Sequence, residues 1–379
     1  MSSSKALLDR SPRTRAIRTM RQWIDDGAWL PGEPVPNGDL LAARLKVSRR
    51  TAQLAVRSLC DEGLLARSGK RILRQPPGHG RGGWLTRTIC LITDYHQQAT
   101  PQDEDRATGW SDRISLGAIQ SLETAKRPFL SVSSEAALEV LASGPAAAIL
   151  LDHDGARSEA LRTALRRAAD QGVAVCVHGD LVDWPEFDRV ASDHAAGASA
   201  LVAWLLGQGR RRLALVMEEP LDRPWFHQRR QGFEAALRTA GLVPAPTIAI
   251  PLFPPVANNP EAMAAAARVI AGHLVEAFSA AEPPDALLVC SDRTVYGVAA
   301  AIRLFGKEPN RDITLVGYDN YWRDCSEARV EPARPLATVD KDNRAIGAAL
   351  VRLVDERQRA PAAAVPQLFL VPPRLIAST

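Results

Sequence analysis

The spacing of apolar residues changes part-way along the chain. In the first part, apolar residues recur every three or four positions, which predicts three helices, at residues 12–26, 39–45 and 48–62. Two short basic runs follow, at 64–69 and 70–75, and predict a β-hairpin around Gly69. From residue 88 onward, continuous apolar runs of strand length alternate with helical segments, the pattern of a parallel sheet covered by helices on both faces. The chain therefore predicts a small α+β domain followed by a larger α/β domain.

The larger part contains eight apolar runs that we predict to be strands. They lie at residues 88–93, 129–132, 146–151, 173–177, 213–217, 247–250, 286–290 and 313–318. So many elements suit two sheets better than one, and ligands of such sheets bind beyond the carboxyl ends of the strands. A Pro- and Gly-rich segment before them is typical of a linker. We therefore divide the chain into a first domain at 1–75, a linker at 76–87 and a larger domain at 88–379.

The third helix is predicted to have one basic and one apolar face. With a rotation of about 100° per residue from Arg49, the side chains of Arg50, Gln53 and Arg57 fall on one side. The apolar residues of the other side, which suit packing on Ile17, Met20 and Ile24 of the first helix, are Ala52, Ala55, Val56 and Leu59. A DNA recognition helix needs this arrangement, because its polar face enters the major groove. The alternative is an ordinary charged face that contacts only solvent.

The charge of the chain is divided unevenly. Residues 1–80 contain 15 Lys and Arg against 7 Asp and Glu, whereas the remaining residues contain 32 against 36. A basic first domain beside a slightly acidic second one indicates a nucleic-acid-binding part joined to a part with another task. The 46% hydrophobic content excludes a disordered or collagen-like chain.

Residues 12–74 contain three motifs in a fixed order: a G-x-W-L-P-G-E turn, a V-S-R start of the third helix and an E-G-L-L segment before the hairpin. With these motifs the first domain resembles the winged helix-turn-helix of GntR-type transcription regulators. It implies DNA contacts from the third helix and the hairpin tip, at Arg49, Arg50, Thr51, Gln53, Ser68, Gly69 and Lys70. Gly38 and Asp39 stand where the family usually has a Glu-Arg pair, and we expect Asp39 to be the N-cap of the second helix instead.

The larger domain has marker segments at 189–216, 229–242, 287–306, 312–320 and 334–340, together with the terminal LIAST. With these markers, residues 88–379 resemble the effector-binding domain of LacI/GalR-type regulators, which is similar to periplasmic sugar-binding proteins. The resemblance implies two Rossmann-like lobes of a periplasmic-binding-protein-like domain, joined by three crossovers, with a small molecule held in the cleft. The predicted fold class is therefore α/β, with this domain preceded by the small α+β winged helix-turn-helix domain.

Acidic residues at strand ends are predicted to bind the ligand. Asp94, Asp152 and Asp319 each follow or end an apolar strand, where a carboxylate can accept two hydroxyl protons of a sugar-like molecule. The alternative for each of them is to cap the following helix or to pair with a nearby arginine.

The resemblance adds further candidate ligand-binding residues. It assigns ligand contacts to Arg229 and Asp319, matches Asp193 to a position at the first crossover, and places Ser291 where an Asn often stands. Just before Arg229 lie Trp225, Phe226 and His227, of which at least one is a candidate for stacking on the ligand. Core packing is the alternative for Trp225 and Phe226.

No metal and no cofactor is expected. His153, Asp154, His178 and Asp180 follow two neighbouring strands and leave a metal site as an alternative, although their spacing does not demand one. The G-x-G-x-x-G pattern at 78–83 follows two prolines and precedes a strand, the reverse of the strand-turn-helix order of a dinucleotide-binding turn.

The leading hypothesis is a ligand-responsive transcription regulator acting as a repressor. It would bind operator DNA as a homodimer, and a small-molecule effector, sugar-like in chemistry, would change its DNA affinity. One alternative is an enzyme that acts on a small polar metabolite and has an accessory DNA-binding domain, although the chain has no G-x-S-x-G motif. A transport-type solute-binding protein is the other alternative, and the basic first domain argues against it.

The expected compartment is the cytoplasm, in association with the nucleoid. The first residues lack the apolar core of a signal peptide, and no apolar run approaches the roughly 18 residues needed to span a bilayer, so no membrane partner is expected. The five cysteines are far apart and suit buried thiols in a reducing compartment.

Overall fold

The computed structural model describes residues 11–30, 32–69, 71–75, 84–94, 110–151, 158–179, 184–256, 258–359 and 365–377. Most of the predicted linker, residues 76–83, lies outside these ranges. The chain groups into two compact units. The first unit comprises Met1–Asp94, Leu122–Cys176 and Val354–Ala364, and the second comprises Tyr95–Ser121, Val177–Leu353 and Val365–Thr379.

The described residues between 11 and 75, called the head below, form three helices and a hairpin. The helices are α1 (Pro12–Asp25), α2 (Gly38–Leu45) and α3 (Arg49–Asp61), and the strands are β1 (Leu65–Ser68) and β2 (Arg71–Arg74). The strands pair antiparallel, with Leu65 opposite Arg74 and Ser68 opposite Arg71. All five elements lie within one or two residues of their predicted positions.

The head has a hydrophobic core built from the apolar faces of α1 and α3. Met20 and Ile24 of α1 are buried in one cluster with Ala52, Ala55 and Leu59 of α3. This packing confirms the predicted apolar stripe of the third helix. Because these side chains point inward, the opposite face of α3 is left for solvent or for a partner.

The start of α2 differs from the prediction. Asn37, not Asp39, is the N-cap, and its side-chain oxygen accepts a hydrogen bond from the backbone N–H of Leu40 at 3.0 Å. Asn37 has the extended backbone that a capping residue needs, whereas Asp39 is already the second residue of the helix. The prediction that Asp39 caps the helix is therefore wrong, and its carboxylate is left for another role.

Two six-stranded sheets form the larger part. One has the order β13-β7-β6-β5-β3-β4 and is made of β3 (Ile89–Ile92), β4 (Phe129–Val132), β5 (Ala147–Leu150), β6 (Ala174–His178), β7 (Asp188–Ser192) and β13 (Leu368–Val371). The other has the order β14-β12-β11-β10-β8-β9 and is made of β8 (Leu213–Glu218), β9 (Ile248–Ile250), β10 (Ala286–Val289), β11 (Thr314–Val316), β12 (Ala337–Asp340) and β14 (Arg374–Ala377).

The strand pairing is that of an α/β fold. In the second sheet neighbouring strands are parallel except β14, which is antiparallel to β12. The helices of the larger part are α4 (Trp110–Thr124), α5 (Ser134–Ala142), α6 (Glu159–Asp170), α7 (His194–Gly207), α8 (Pro224–Thr239), α9 (Pro260–Ser279), α10 (Asp292–Leu304) and α11 (Asn343–Arg359). Short 3-10 helices add Leu85–Arg87, Trp322–Asp324 and Ser326–Arg329. The mainly parallel sheets with their helices, preceded in the chain by a small head, confirm the predicted fold class.

All eight predicted strands are present, but four further strands were missed. β7 begins with Asp188 and Arg189, so its sequence lacks a continuous apolar run even though Val190 and Ala191 are buried. β12 is only four residues long, and β13 and β14 are edge strands whose side chains are mostly exposed. Edge strands carry weaker apolar patterns because one side of the strand has no neighbour.

One helix of the described residues is long and apolar enough to cross a membrane. This helix is α9, with 20 residues and a mean hydropathy of 1.2. The expectation that no apolar segment approaches the length needed to span a bilayer is therefore wrong for this helix. Ala267, Ile270 and Leu274 of α9 are buried against the second sheet in one cluster with Val216 and Leu287. That packing accounts for the apolar residues on one face of the helix.

Candidate functional site

The exposed face of α3 carries the polar residues predicted to contact DNA. Arg49, Arg50 and Gln53 are exposed, whereas Thr51 is half-buried, with its hydroxyl 2.8 Å from Ser48 Oγ. Ser48 caps the helix by accepting the backbone N–H of Thr51 at 3.2 Å. The capped helix therefore presents two guanidinium groups and an amide on one side and buries its apolar side in the core of the head.

The N-terminal ends of α2 and α3 lie side by side. The carboxylate oxygen Oδ1 of Asp39 lies 3.3 Å from Nε of Arg49, and both side chains are 66% exposed. A Cβ atom built on Gly38 would lie 3.9 Å from Cγ of Gln53, an ordinary van der Waals distance. Two predicted DNA-contacting side chains of α3 are thus neighbours of the first turn of α2.

The hairpin supplies a second polar surface of the head. Ser68 and Gly69 are exposed at its turn, and Gly69 has a φ of +60°, a conformation that favours glycine. Lys70, also predicted at the tip, lies outside the described residues. Arg67 and Arg71 on the two strands are exposed as well, and neither was among the predicted contacts.

Arg229, the predicted ligand-binding arginine, lies on α8 and is only 3% exposed. Its guanidinium donates to the carbonyl oxygen of Cys290 at 2.5 Å and to Oδ1 of Asp319 at 3.2 Å, and its Nε donates to Nδ1 of His194 at 3.3 Å. All four residues belong to the second unit. A buried arginine with such partners is held in one orientation, as recognition of a polar ligand requires.

Asp319 follows strand β11, and its carboxylate contacts two positively charged side chains. Its Oδ1 lies 3.2 Å from Nη2 of Arg229 and 2.8 Å from Nζ of Lys341. Burial alone would raise the pKa of Asp319, but Lys341 and Arg229 outweigh it and hold the pKa below its ordinary value. Asp319 has a φ of +95°, a strained conformation for a residue with a side chain. The carboxylate is therefore ionised and fixed in position.

Aromatic rings enclose the guanidinium of Arg229. Its Cζ lies 3.6 Å from the ring centroid of Tyr318 and 4.6 Å from that of Trp225. Trp225 is half-buried, whereas Phe226 is buried in the core of the second unit. Core packing thus accounts for Phe226. Trp225 packs against the same core and also contacts the Arg229 guanidinium, where the cation–π contact stabilises the charge.

The remaining predicted ligand residues have structural partners. Asp193 caps α7 by accepting the N–H of Ala196 at 2.8 Å, and Ser291 caps α10, with its hydroxyl 2.7 Å from Thr294 Oγ1. Asp94, in the first unit, accepts the N–H of Ser134 at 2.7 Å. Capping and ligand contact are compatible, since a carboxylate or hydroxyl oxygen can take part in more than one hydrogen bond, so their ligand roles stay predictions. Asp152 lies outside the described residues.

The metal alternative finds no support among the described residues, which contain no group of three or more His, Cys, Asp or Glu that could hold a metal ion. His178 is buried at the end of β6. The other residues of that alternative, His153, Asp154 and Asp180, lie outside the described ranges.

Comparison with known proteins supports the division into a head and a larger α/β part. Residues 12–71 match the family model described as bacterial regulatory proteins, gntR family. Residues 202–378 match the model described as a periplasmic binding protein-like domain. The chain joins a gntR-family domain to a periplasmic binding protein-like domain.

Two curated relatives match about half of the chain. The HTH-type transcriptional repressor CytR of Escherichia coli (strain K12) is 25% identical over 174 residues, and so is CytR of Shigella flexneri. The match covers 46% of this chain and 46% of each relative, so the chain spans about half the length of the curated relatives it matches.

Solved structures share the fold of the chain at low identity. The transcriptional regulator CelR-cellobiose complex aligns over 90% of this chain and 99% of its own, with a TM-score of 0.56 and 19% identity. A LacI-family regulatory protein from Chloroflexus aggregans aligns over 78% and 98%, with a TM-score of 0.57 and 21% identity. A LacI-family regulator from Enterococcus faecium with bound ribose aligns over 76% and 96%, with a TM-score of 0.52 and 18% identity.

Three residues of the periplasmic binding protein-like domain, Lys341, Asp292 and Glu218, were missed by sequence reasoning. Lys341 directly follows β12, the short strand that was itself missed, and contacts Asp319, which follows the neighbouring strand β11. Asp292 is fully buried at the start of α10 and accepts hydrogen bonds from Thr338 Oγ1 at 2.7 Å and from the backbone N–H of Tyr321 at 2.9 Å. Burial raises the pKa of Asp292 to about 7, and the nearby Asp319 adds to the rise.

A third acidic residue of this domain ends strand β8. Glu218 accepts a hydrogen bond from Thr294 Oγ1 at 2.7 Å, and burial raises its pKa. Burial also raises the pKa of the neighbouring Cys290 thiol to about 12, so this cysteine is protonated and unreactive. A Glu at the end of an apolar run can be recognised in the sequence, so Glu218 could have been predicted as a site residue together with the strand-end aspartates.

Proposed function

We propose that this protein is a transcription regulator that binds DNA through its gntR-family domain. The observation that carries the proposal is the two-sided helix α3. Its exposed face presents Arg49, Arg50 and Gln53, and its other face packs Ala52, Ala55 and Leu59 into the core of the head. Guanidinium groups donate to phosphates and to guanine, and an amide pairs with adenine, so this face suits the major groove. The exposed hairpin tip at Ser68 and Gly69 would contact the sugar-phosphate backbone of the DNA or the groove next to the one that α3 enters.

We further propose that a small polar molecule, sugar-like in chemistry, binds at the Arg229 cluster and acts as the effector. Arg229, Asp319 and Lys341 supply fixed donors and acceptors, and Trp225 supplies an aromatic surface. Such a ligand alters DNA binding only through different affinities for two states of the protein. The named ligands of the structural neighbours, cellobiose and ribose, belong to the same chemical class. Asp94, Asp152, Asp193 and Ser291 are the further ligand residues of this proposal.

We also propose that the protein acts as a repressor and binds its operator as a homodimer. Its proposed location is the cytoplasm, in association with the nucleoid. A dimer places two heads on two half-sites of a palindromic operator, which raises both affinity and specificity. The expected sign of a palindromic site is a repeat of the selected sequence in inverted orientation.

The DNA-binding part of the proposal is tested by selection from a random duplex library, followed by fluorescence anisotropy on the selected sequence. We expect Arg50→Ala to lower specific affinity about ten-fold or more. The matched control is Arg311→Ala, which removes a 73% exposed arginine from the second unit and should leave affinity unchanged. Equal losses in both variants, or no selected sequence for the wild type, would reject DNA recognition by α3.

The effector part is tested by thermal shift against sugars, sugar acids, polyols and nucleosides, because a ligand of the folded state raises its stability. Lys341→Gln should remove the shift seen with the active compound and leave DNA binding intact. Arg230→Ala is the control, since Arg230 is adjacent to Arg229 but half-exposed, with Glu234 at 3.8 Å. A wild-type shift that persists in Lys341→Gln would place the ligand elsewhere.

A further inference from the structure

The contact between Asp39 and Arg49 bears on which DNA sequence the head recognises. We infer that Asp39 is a specificity-determining residue that acts together with Arg49 on one G·C base pair. The inference rests on the proposed DNA binding and names the base pair that this part of the surface would contact. Three observations support it: the position of Asp39, the atom of Arg49 that it contacts, and the exposure of both groups.

The position places a carboxylate where an anion would otherwise bind. Asp39 lies in the first turn of α2, and its neighbour Gly38 lies beside Gln53 of α3. The N-terminal end of a helix carries partial positive charge and attracts phosphate. The Asp39 carboxylate occupies that region and repels a phosphate, so this end of α2 is unsuited to a backbone contact. A carboxylate at a DNA-facing surface is instead satisfied by a base amino group, above all N4 of cytosine.

The contacted atom leaves the recognition end of Arg49 available for a base. Asp39 Oδ1 lies 3.3 Å from Nε, the nitrogen on the inner side of the guanidinium. The Nη1 and Nη2 groups form the outer end, and an arginine donates to O6 and N7 of guanine through two such N–H groups. Asp39 therefore orients Arg49 without occupying the groups that contact guanine.

Together the two side chains match one base-pair edge. In the major groove a G·C pair presents two acceptors on guanine and one amino donor on cytosine. Arg49 supplies the donors and Asp39 the acceptor, side by side on one surface. An A·T pair presents a thymine methyl group and a different order of donors and acceptors, so it matches this pair of side chains less well.

The exposure of the pair argues that its role is recognition and not stability. Both side chains are 66% exposed, and ion pairs of that kind contribute little to folding because water and salt screen them. Asp39→Asn should therefore unfold at only a slightly lower urea concentration than the wild type, because it loses just the weak attraction of a carboxylate to the first turn of α2. Any change in its DNA binding then reports on the interface.

The test is binding-site selection with the full-length wild type and Asp39→Asn, followed by anisotropy on duplexes in which each selected pair is replaced in turn. The wild type should prefer G·C at one position of each half-site by about ten-fold or more, and Asp39→Asn should reduce that preference to below about three-fold. The rest of the selected sequence should stay the same. Arg49→Lys, which keeps the charge but loses the planar fork, should weaken the preference at the same pair.

Asp25→Asn is the matched control, because it removes one exposed carboxylate from the head at the end of α1. Its selected sequence should equal that of the wild type. The inference is overturned if Asp39→Asn keeps the full G·C preference, or if Asp25→Asn alters the preference equally, which would show a simple effect of net charge. A wild type that selects no sequence would overturn the proposed function along with it, whereas normal selection by an unaffected Asp39→Asn rejects only the role of Asp39.

Discussion

Arg229 and Asp319 form an ion pair inside the second unit, with Nη2 of the arginine 3.2 Å from Oδ1 of the aspartate and both side chains nearly inaccessible to water. Lys341 contacts the same oxygen at 2.8 Å, so one carboxylate serves two cations. Removing one member of a buried charged group is costly because its partners lose their compensating charge. The shared carboxylate is the member on which both cations depend.

Asp319→Asn should lower the free energy of unfolding by about 3–5 kcal/mol, since Arg229 and Lys341 would then face a neutral amide. Urea unfolding of the full chain, followed by circular dichroism, measures the change. The control is Glu234→Gln, because Glu234 also serves two arginines, Arg230 at 3.8 Å and Arg238 at 2.6 Å, but on an exposed helix face. We expect that control to cost no more than about 1 kcal/mol. Equal costs would mean that burial adds nothing to the Asp319 cluster.

Asp292 should make stability depend on pH around neutrality. Its pKa in the folded protein is raised to about 7 from an ordinary value of 3.8, so the folded state binds more protons than the unfolded state between these values. Stability contributed by this group therefore falls as pH rises from about 4 to about 7, by up to about 1.4 kcal/mol per pH unit. Asp292→Asn should flatten the profile of melting temperature against pH between 5 and 7.

Two neighbouring carboxylates affect this profile differently. The pKa of Asp319 lies below its ordinary value, so its stabilisation is lost only as pH falls through that low pKa, outside the measured window. The pKa of Glu218 is raised like that of Asp292, and Glu218 therefore keeps a residual slope in the Asp292→Asn variant. Identical slopes in wild type and Asp292→Asn would show that Asp292 is not the group responsible.

The head was predictable from sequence because each of its helices and strands is indicated by residues within or next to that element. Apolar spacing on α1 and α3 sets their packing, and Ser48 before α3 is a recognisable N-cap. The Arg229 site was only partly predictable, since its contacts join distant parts of the chain: His194 lies 35 residues from Arg229, and Asp319 lies 90 residues from it. A strand-end Asp looks the same whether it caps a helix, as Asp193 does, or pairs with two cations, as Asp319 does. Only the fold distinguishes the two.

Gly232 should tolerate no side chain, because helices α7 and α8 touch there. A Cβ atom at this position would lie 2.1 Å from the backbone oxygen of Ala195, and backbone cannot rotate away as a side chain can. Gly232→Ala should therefore cost at least about 2 kcal/mol and shift α8, which carries Arg229 one turn earlier. Thermal unfolding and the effector-induced shift measure both effects.

The matched control for that change is Gly272→Ala on α9, where an added Cβ meets no atom within 4 Å. Alanine is the better helix former, so this variant should gain about 0.5–1 kcal/mol. If both glycine substitutions changed stability in the same direction, the close approach of α7 and α8 would not be the cause.

Ser48 should separate the stability of the recognition helix from its affinity for DNA. Ser48→Ala removes the acceptor that binds the Thr51 N–H at 3.2 Å and should cost about 1 kcal/mol. Ser48→Asp keeps an N-cap acceptor and should regain that stability, but it adds a negative charge beside Arg49 on the face predicted to meet phosphates. Its affinity for DNA should fall, and more so at low salt, because repulsion between a carboxylate and phosphates is screened by ions. Urea unfolding and anisotropy at two salt concentrations measure the two quantities. If Ser48→Asp were as stable as the wild type and bound DNA equally well, α3 would not face the nucleic acid.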